Sequence, residues 1–73
     1  MATPRKKWPQ SAQYALDDAL KMLREAENLA KRGRLNLEEN RRQEAKIDFA
    51  DIERLVAKSI ATLLLGREGK YEE

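Results

Sequence analysis

From Ala12 onward the apolar positions recur at the three- and four-residue spacing of an α-helix, which turns about 100° per residue. Pro9 suits the first turn, where its missing N–H is not needed, and Ser11 is an alternative N-cap. The pattern runs to Arg32. Gly33 then stands where a helix takes a left-handed terminal residue, with Lys31 and Arg32 against the negative end of the dipole. Asn36-Leu-Glu-Glu39 has the form of a capping box and restarts a helix that is mostly polar to about Lys46. A second start signal stands at Asp48-Phe-Ala-Asp51. Asp48 can cap there, and Ile47 and Ile52 have the spacing of a hydrophobic staple. That helix runs to Leu65 and stops at Gly66. Two readings of 37–65 are open, one long helix or two broken near 47–48, and the cap signals favour the break. No stretch alternates as a strand would. The pattern therefore predicts an all-α chain, an antiparallel helical hairpin of two long helices. Self-association or a partner would complete it into a bundle. Its parts are a flexible basic arm over 1–8, a helical domain over 9–65 and a flexible tail over 66–73.

The helix faces carry more than the boundaries do. Ala12, Ala15, Ala19, Ala26 and Ala30 fall on one narrow strip, with Leu16, Leu20 and Leu23 on one side and Met22 and Leu29 on the other. Such a strip lets another helix approach closely. High helix propensity explains many alanines, but not their clustering on one face. In the second half Phe49, Ile52, Leu55, Val56, Ile60, Leu63 and Leu64 spread over an arc of about 180°, against about 100° for a helix with one neighbour. Glu53 and Ser59 interrupt the arc, so the helix is not buried all round. Two neighbours resolve this: the first helix and a segment of another chain. The apolar mass gathers at the open end of the hairpin, where the core and any interface are expected. Ala12, Leu16, Ala19, Leu20, Leu23, Phe49, Ile52, Val56, Ile60, Leu63 and Leu64 are the expected interface residues. Asp17–Lys21, Glu27–Lys31, Glu38–Arg42 and Asp51–Arg54 have the spacing of surface ion pairs.

Composition sharpens the need for a partner. The 73 residues include 15 Lys or Arg and 13 Asp or Glu, with no His and no Cys. No disulfide can staple the fold, and ten of the apolar residues are Ala. A core of this size rarely supplies more than about 3–5 kcal/mol unaided, so oligomerisation or docking is the expected source of extra stability.

The same composition removes most chemistry. Without Cys or His there are no thiolate or imidazole metal sites, no Cys nucleophile and no His base. The three glycines are isolated, so no phosphate loop is present. Carboxylate pairs occur at Asp17/Asp18, Glu38/Glu39 and Asp48/Asp51, but a catalytic pair needs a pocket that separates two pKa values. No enzyme, metal or cofactor is expected. Arg5-Lys6-Lys7-Trp8 joins three positive charges to an aromatic, as an arm that follows phosphates and stacks on a base would. Without those three charges the rest of the chain holds 12 basic and 13 acidic residues, so the body is not a basic domain. No signal-peptide or transmembrane pattern appears, and the expectation is a cytoplasmic protein without a membrane role. The size and pattern resemble small dimeric helical-hairpin proteins that form four-helix bundles, a likeness of fold that transfers no function. The leading expectation is a non-enzymatic helical interaction module, a homo-oligomer or a small accessory subunit. The alternative is a nucleic-acid-binding accessory protein that uses Arg5, Lys6, Lys7 and Trp8 with Arg41 and Arg42 near the helix connection.

Overall fold

A computed structural model describes residues 10–71. Two antiparallel helices make the hairpin: α1, Gln10–Glu38, and α2, Arg42–Arg67. No strand occurs among the described residues. The all-α hairpin is as the pattern predicts, but its joints lie elsewhere. α1 does not stop at Gly33. It runs through to Glu38 and ends at Asn40, whose φ of 62° is left-handed. The Asn40 N–H donates to the Leu37 carbonyl at 3.1 Å, and the Arg41 N–H donates to the Asn36 carbonyl at 2.6 Å. This bond pair satisfies carbonyls that the last turn leaves open. α2 ends the same way, not at Gly66 but past Arg67. Gly69 has φ 72°, Gly69 N–H reaches Gly66 O at 3.0 Å and Lys70 N–H reaches Leu65 O at 2.8 Å.

The remaining start signals are also overturned. Asn36 is inside α1 and buried, so it caps nothing. Asp48 is inside α2, which has no break near 47–48 and starts with Arg41 as its N-cap residue. Ser11 is the second residue of α1, and its Oγ is buried without a hydrogen-bond partner among the described residues. Residues 1–8 and Pro9 lie outside the described residues. Residues 66 and 67, assigned to the tail, belong to α2, and the Tyr71 hydroxyl donates to the Asp18 carboxylate.

The helices meet along positions spaced alternately three and four apart. On α1 these are Ala12, Ala15, Ala19, Met22, Ala26, Leu29, Gly33 and Asn36, and on α2 Ala45, Asp48, Ile52, Leu55, Ser59, Thr62 and Gly66. That spacing averages 3.5 residues, the repeat of a left-handed coiled coil. Two contacts set the register: Gly66 lies against Ala15, and Gly33 lies against Asp48. The same register puts Met22 level with Ser59 and Ala26 level with Leu55, a large residue facing a small one each time. The buried apolar residues are five alanines, and the largest fully buried side chains are Asp48 and Ser59. The expected concentration of the core at the open end is therefore not observed. The seam is closed along its whole length, mostly by small residues, with Met22, Leu29, Ile52 and Leu55 half-buried in it.

Gly33 illustrates what this does to a single position. A Cβ there would sit 3.4 Å from Asp48 Cβ and 3.7 Å from its Oδ2, which are ordinary packing distances. Its φ is not left-handed. Gly33→Ala is therefore expected to raise stability by up to about 1 kcal/mol, because Gly costs that much in a helix interior. Thermal unfolding checks it, and a clear fall in Tm would contradict a mid-helix Gly33.

Candidate functional site

The seam uses one stripe of each helix and leaves a second stripe open. Leu16, Leu23, Ala30 and Leu37 recur every seven residues beside the seam on α1, and Phe49, Val56 and Leu63 do so on α2. Residues seven apart lie on one line of a helix with a 3.5-residue repeat. In an antiparallel pair these two lines adjoin each other on the same side of the seam. Two grooves mark the two ends of that side. One, of about 350 Å³, lies among Ala12, Leu16, Leu63 and Gly66. The other, of about 170 Å³, lies among Ala30, Leu37, Phe49 and Ile52. Leu20 on α1 and Ile60 on α2 extend the face outward. Its large side chains are open to solvent: Leu16 is 59% exposed, Phe49 56% and Ile60 54%.

Of the residues expected at an interface, Leu16, Leu20, Leu23, Phe49, Val56, Ile60 and Leu63 share this face. Ala12 and Ala19 do not; they are buried in the seam with Ala15 and Ala26, so the alanine strip, apart from the exposed Ala30, serves α2 of the same chain. Ile52 is half-buried in the seam, and Leu64 is exposed about 100° further round α2 than Leu63. Leu37, half exposed, belongs to the face although the sequence reading passed over it. The signal was its seven-residue interval from Leu16 through Leu23 and Ala30.

The other side of the hairpin holds a polar cluster, beside exposed Leu35, Ile47 and Leu65. The Arg32 guanidinium donates to Asp48 Oδ1 through Nε at 3.1 Å and Nη2 at 2.7 Å, and Asn36 Nδ2 donates to Asp48 Oδ2 at 2.8 Å. The hydrogen bond from Arg32 holds the Asp48 carboxyl below the usual carboxylate range. Burial opposes this shift, and the Asn36 bond and the Arg32 charge add to it. Arg32 is raised in turn by that bond and by the Asp48 charge. The buried Ser59 hydroxyl is satisfied by the Leu55 carbonyl at 2.8 Å. Of the expected surface ion pairs, Glu27–Lys31 forms at 3.9 Å and Asp51–Arg54 at 3.3 Å. Glu38 and Arg42 end up on different helices, so their spacing is not helical.

Of the residues expected to touch nucleic acid, two are described. Arg41 and Arg42 lie at the connection, where Arg41 pairs with Glu39 at 3.3 Å. Arg5, Lys6, Lys7 and Trp8 are outside the described residues, and Gln10 is at the opposite end of α1 from the connection. Among the described residues no group of three or more acidic side chains could hold a metal ion, and no helix is long and apolar enough to cross a membrane. No protein-family model, curated protein or solved structure matches the chain.

Proposed function

We propose that this chain is a non-enzymatic helical interaction module, working as a homo-oligomer or as a small accessory subunit, whose working surface is the open apolar face. One observation carries the reading: the helices seal their seam mostly with small residues and leave most of the large apolar ones, Leu16 and Phe49 among them, in solvent. A helical domain is stable as two packed layers, and this hairpin, 14 Å thick, is one. Contiguous exposed apolar surface of this kind marks an interaction site. No observation among the described residues favours the nucleic-acid alternative over it.

An apolar dye such as 8-anilinonaphthalene-1-sulfonate tests the face. The chain is expected to bind it when dilute enough to be monomeric. The variant Leu20→Lys with Ile60→Lys should lose most of that binding, about tenfold, and keep its helical circular dichroism. Both residues are half exposed in the hairpin, so charge there meets water and costs the monomer little. A folded monomer that binds no dye would overturn the reading.

A further inference from the structure

We infer that the partner on this face is a second copy of the chain, laid across it with the two helix connections pointing in opposite directions. The inference rests on the docking reading above. Geometry gives the first argument. On each helix the seam stripe and the open stripe are about 100° apart. A square four-helix bundle requires that angle, since each helix there has two neighbours at a right angle. One neighbour is already supplied within the chain, and another antiparallel hairpin supplies the second for both helices at once.

Residues 1–9 hold only Met1 and Trp8 as large apolar side chains, too few to cover this face. Six large residues cluster toward the open end alone: Leu16, Leu20, Leu23, Val56, Ile60 and Leu63.

Charge selects the orientation. The outer row of the face reads Gln13, Leu20, Glu27, Arg34 on α1 and Arg67, Ile60, Glu53, Lys46 on α2, both taken from the open end. The hairpin register makes these rows level, so Glu27 stands at the height of Glu53 and Arg34 at the height of Lys46, on opposite outer edges of the face. A second copy with its connection at the same end would stack α1 on the other α2. Acid would then face acid and base would face base. Reversing the copy removes this conflict. Centring the two-fold axis between Leu20 and Leu23 on α1 and between Val56 and Ile60 on α2 packs Leu20 on Leu23 of the second copy and Val56 on its Ile60. Glu53 then lies level with Leu63 of the second copy, about 6 Å along the axis from its Arg67, and Glu27 lies about 5 Å along the axis from its Gln13, each twice by symmetry. The overlap is about 28 Å by 20 Å on each hairpin, so about 1,100 Å² is buried in total, which clears the roughly 1,000 Å² of a stable interface.

The absence of native cysteine makes the test direct. Glu39→Cys at the exposed connection takes a single nitroxide label, and sedimentation over a wide concentration range gives the mass. The expected result is a dimer with a label-to-label distance of about 50 Å, set by the 1.5 Å rise per residue from the axis to each connection. The Leu20→Lys, Ile60→Lys variant should be a folded monomer. A dimer whose labels lie within about 25 Å of each other would overturn the orientation. A dimer that survives both lysines would overturn the face. A strict monomer at every concentration would overturn the second copy; if it also binds the dye, the docking reading stands with a different partner, and if it does not, both fall.

Discussion

Gly66→Ala is expected to destabilise the hairpin by about 1–2 kcal/mol, although Ala is the better helix former by about 1 kcal/mol. The added Cβ would overlap the Cβ of Ala15 and lie 3.8 Å from the Ala12 backbone. Neither obstacle is the far end of a flexible side chain, so the helices themselves must separate. Separation opens the seam at Ala12, Ala15 and Thr62, where burial is nearly complete. Overpacking costs about 1–3 kcal/mol, and an obstacle this close to the Ala15 Cβ places it at about 2–3 kcal/mol, more than propensity returns. In a chain of this size the net loss should lower Tm by roughly 4–16 °C. Adding Ala15→Gly to Gly66→Ala moves the methyl from one helix to the other and should recover much of the loss. A more stable Gly66→Ala single variant would disprove the close approach at Ala15. Set beside the opposite expectation for Gly33→Ala, the pair asks whether each glycine is spacer or mere gap.

Asn36→Ala should also destabilise, by about 1–2 kcal/mol near neutral pH, and it should change the acid limb of stability as well. Asn36 is the donor to Asp48 Oδ2 in the seam, where the carboxylate is almost fully buried. Removing it leaves a buried acceptor without that donor, and Ala returns less than about 0.7 kcal/mol in helix propensity. The pH dependence follows from the depressed Asp48 carboxyl. In the unfolded chain an Asp carboxyl titrates near its ordinary value of about 3.9. In the hairpin Asp48 titrates lower, chiefly through the Arg32 hydrogen bond. The ionised form is therefore favoured by folding. Its contribution is complete above about pH 4 and is lost as pH falls through the lower folded value. Without Asn36 the folded value rises toward the unfolded one, so the acid-dependent part shrinks. Urea denaturation of both proteins between neutral pH and about pH 3 measures this. Identical pH slopes below pH 4 would show that Asn36 does not act on Asp48. Arg32, charged throughout that range, adds no slope of its own.

Much of this arrangement is legible in the residues, and the failures are specific. The helical period and the absence of strand alternation suffice for two helices, because amphipathicity at 100° per residue is a local property. The alanine strip and the over-wide arc of α2 were both legible for the same reason. The joints were not. Gly33, Asn36, Asp48 and Gly66 each carry a residue type that ends or starts helices, and each is used inside the seam instead. Asn40 and Gly69 end the helices with the same left-handed conformation that local rules assign to Gly33 and Gly66. Local rules cannot rank these candidates. The difference lies in what each glycine faces fifteen or more residues away.

The candidate face shows the same division. Leu16, Leu20, Leu23, Phe49, Val56, Ile60 and Leu63 are apolar at helical spacing, and that alone marks them as residues that need cover. Whether they or the alanines form the intrachain contact is a matter of which stripe the partner helix takes. The buried Asp48, held by Arg32 and Asn36, fits only a seam that runs through Gly33, and Gly66 leaves room only for Ala15. By itself the sequence determined two amphipathic helices, their small and large stripes, and a near-neutral body with no thiol or imidazole. Only the tertiary structure decided that the small stripe closes the hairpin and the large one stays open. The reason is physical: periodicity is written along one helix, but the choice of stripe depends on steric and polar fit between residues that meet only after the chain turns back.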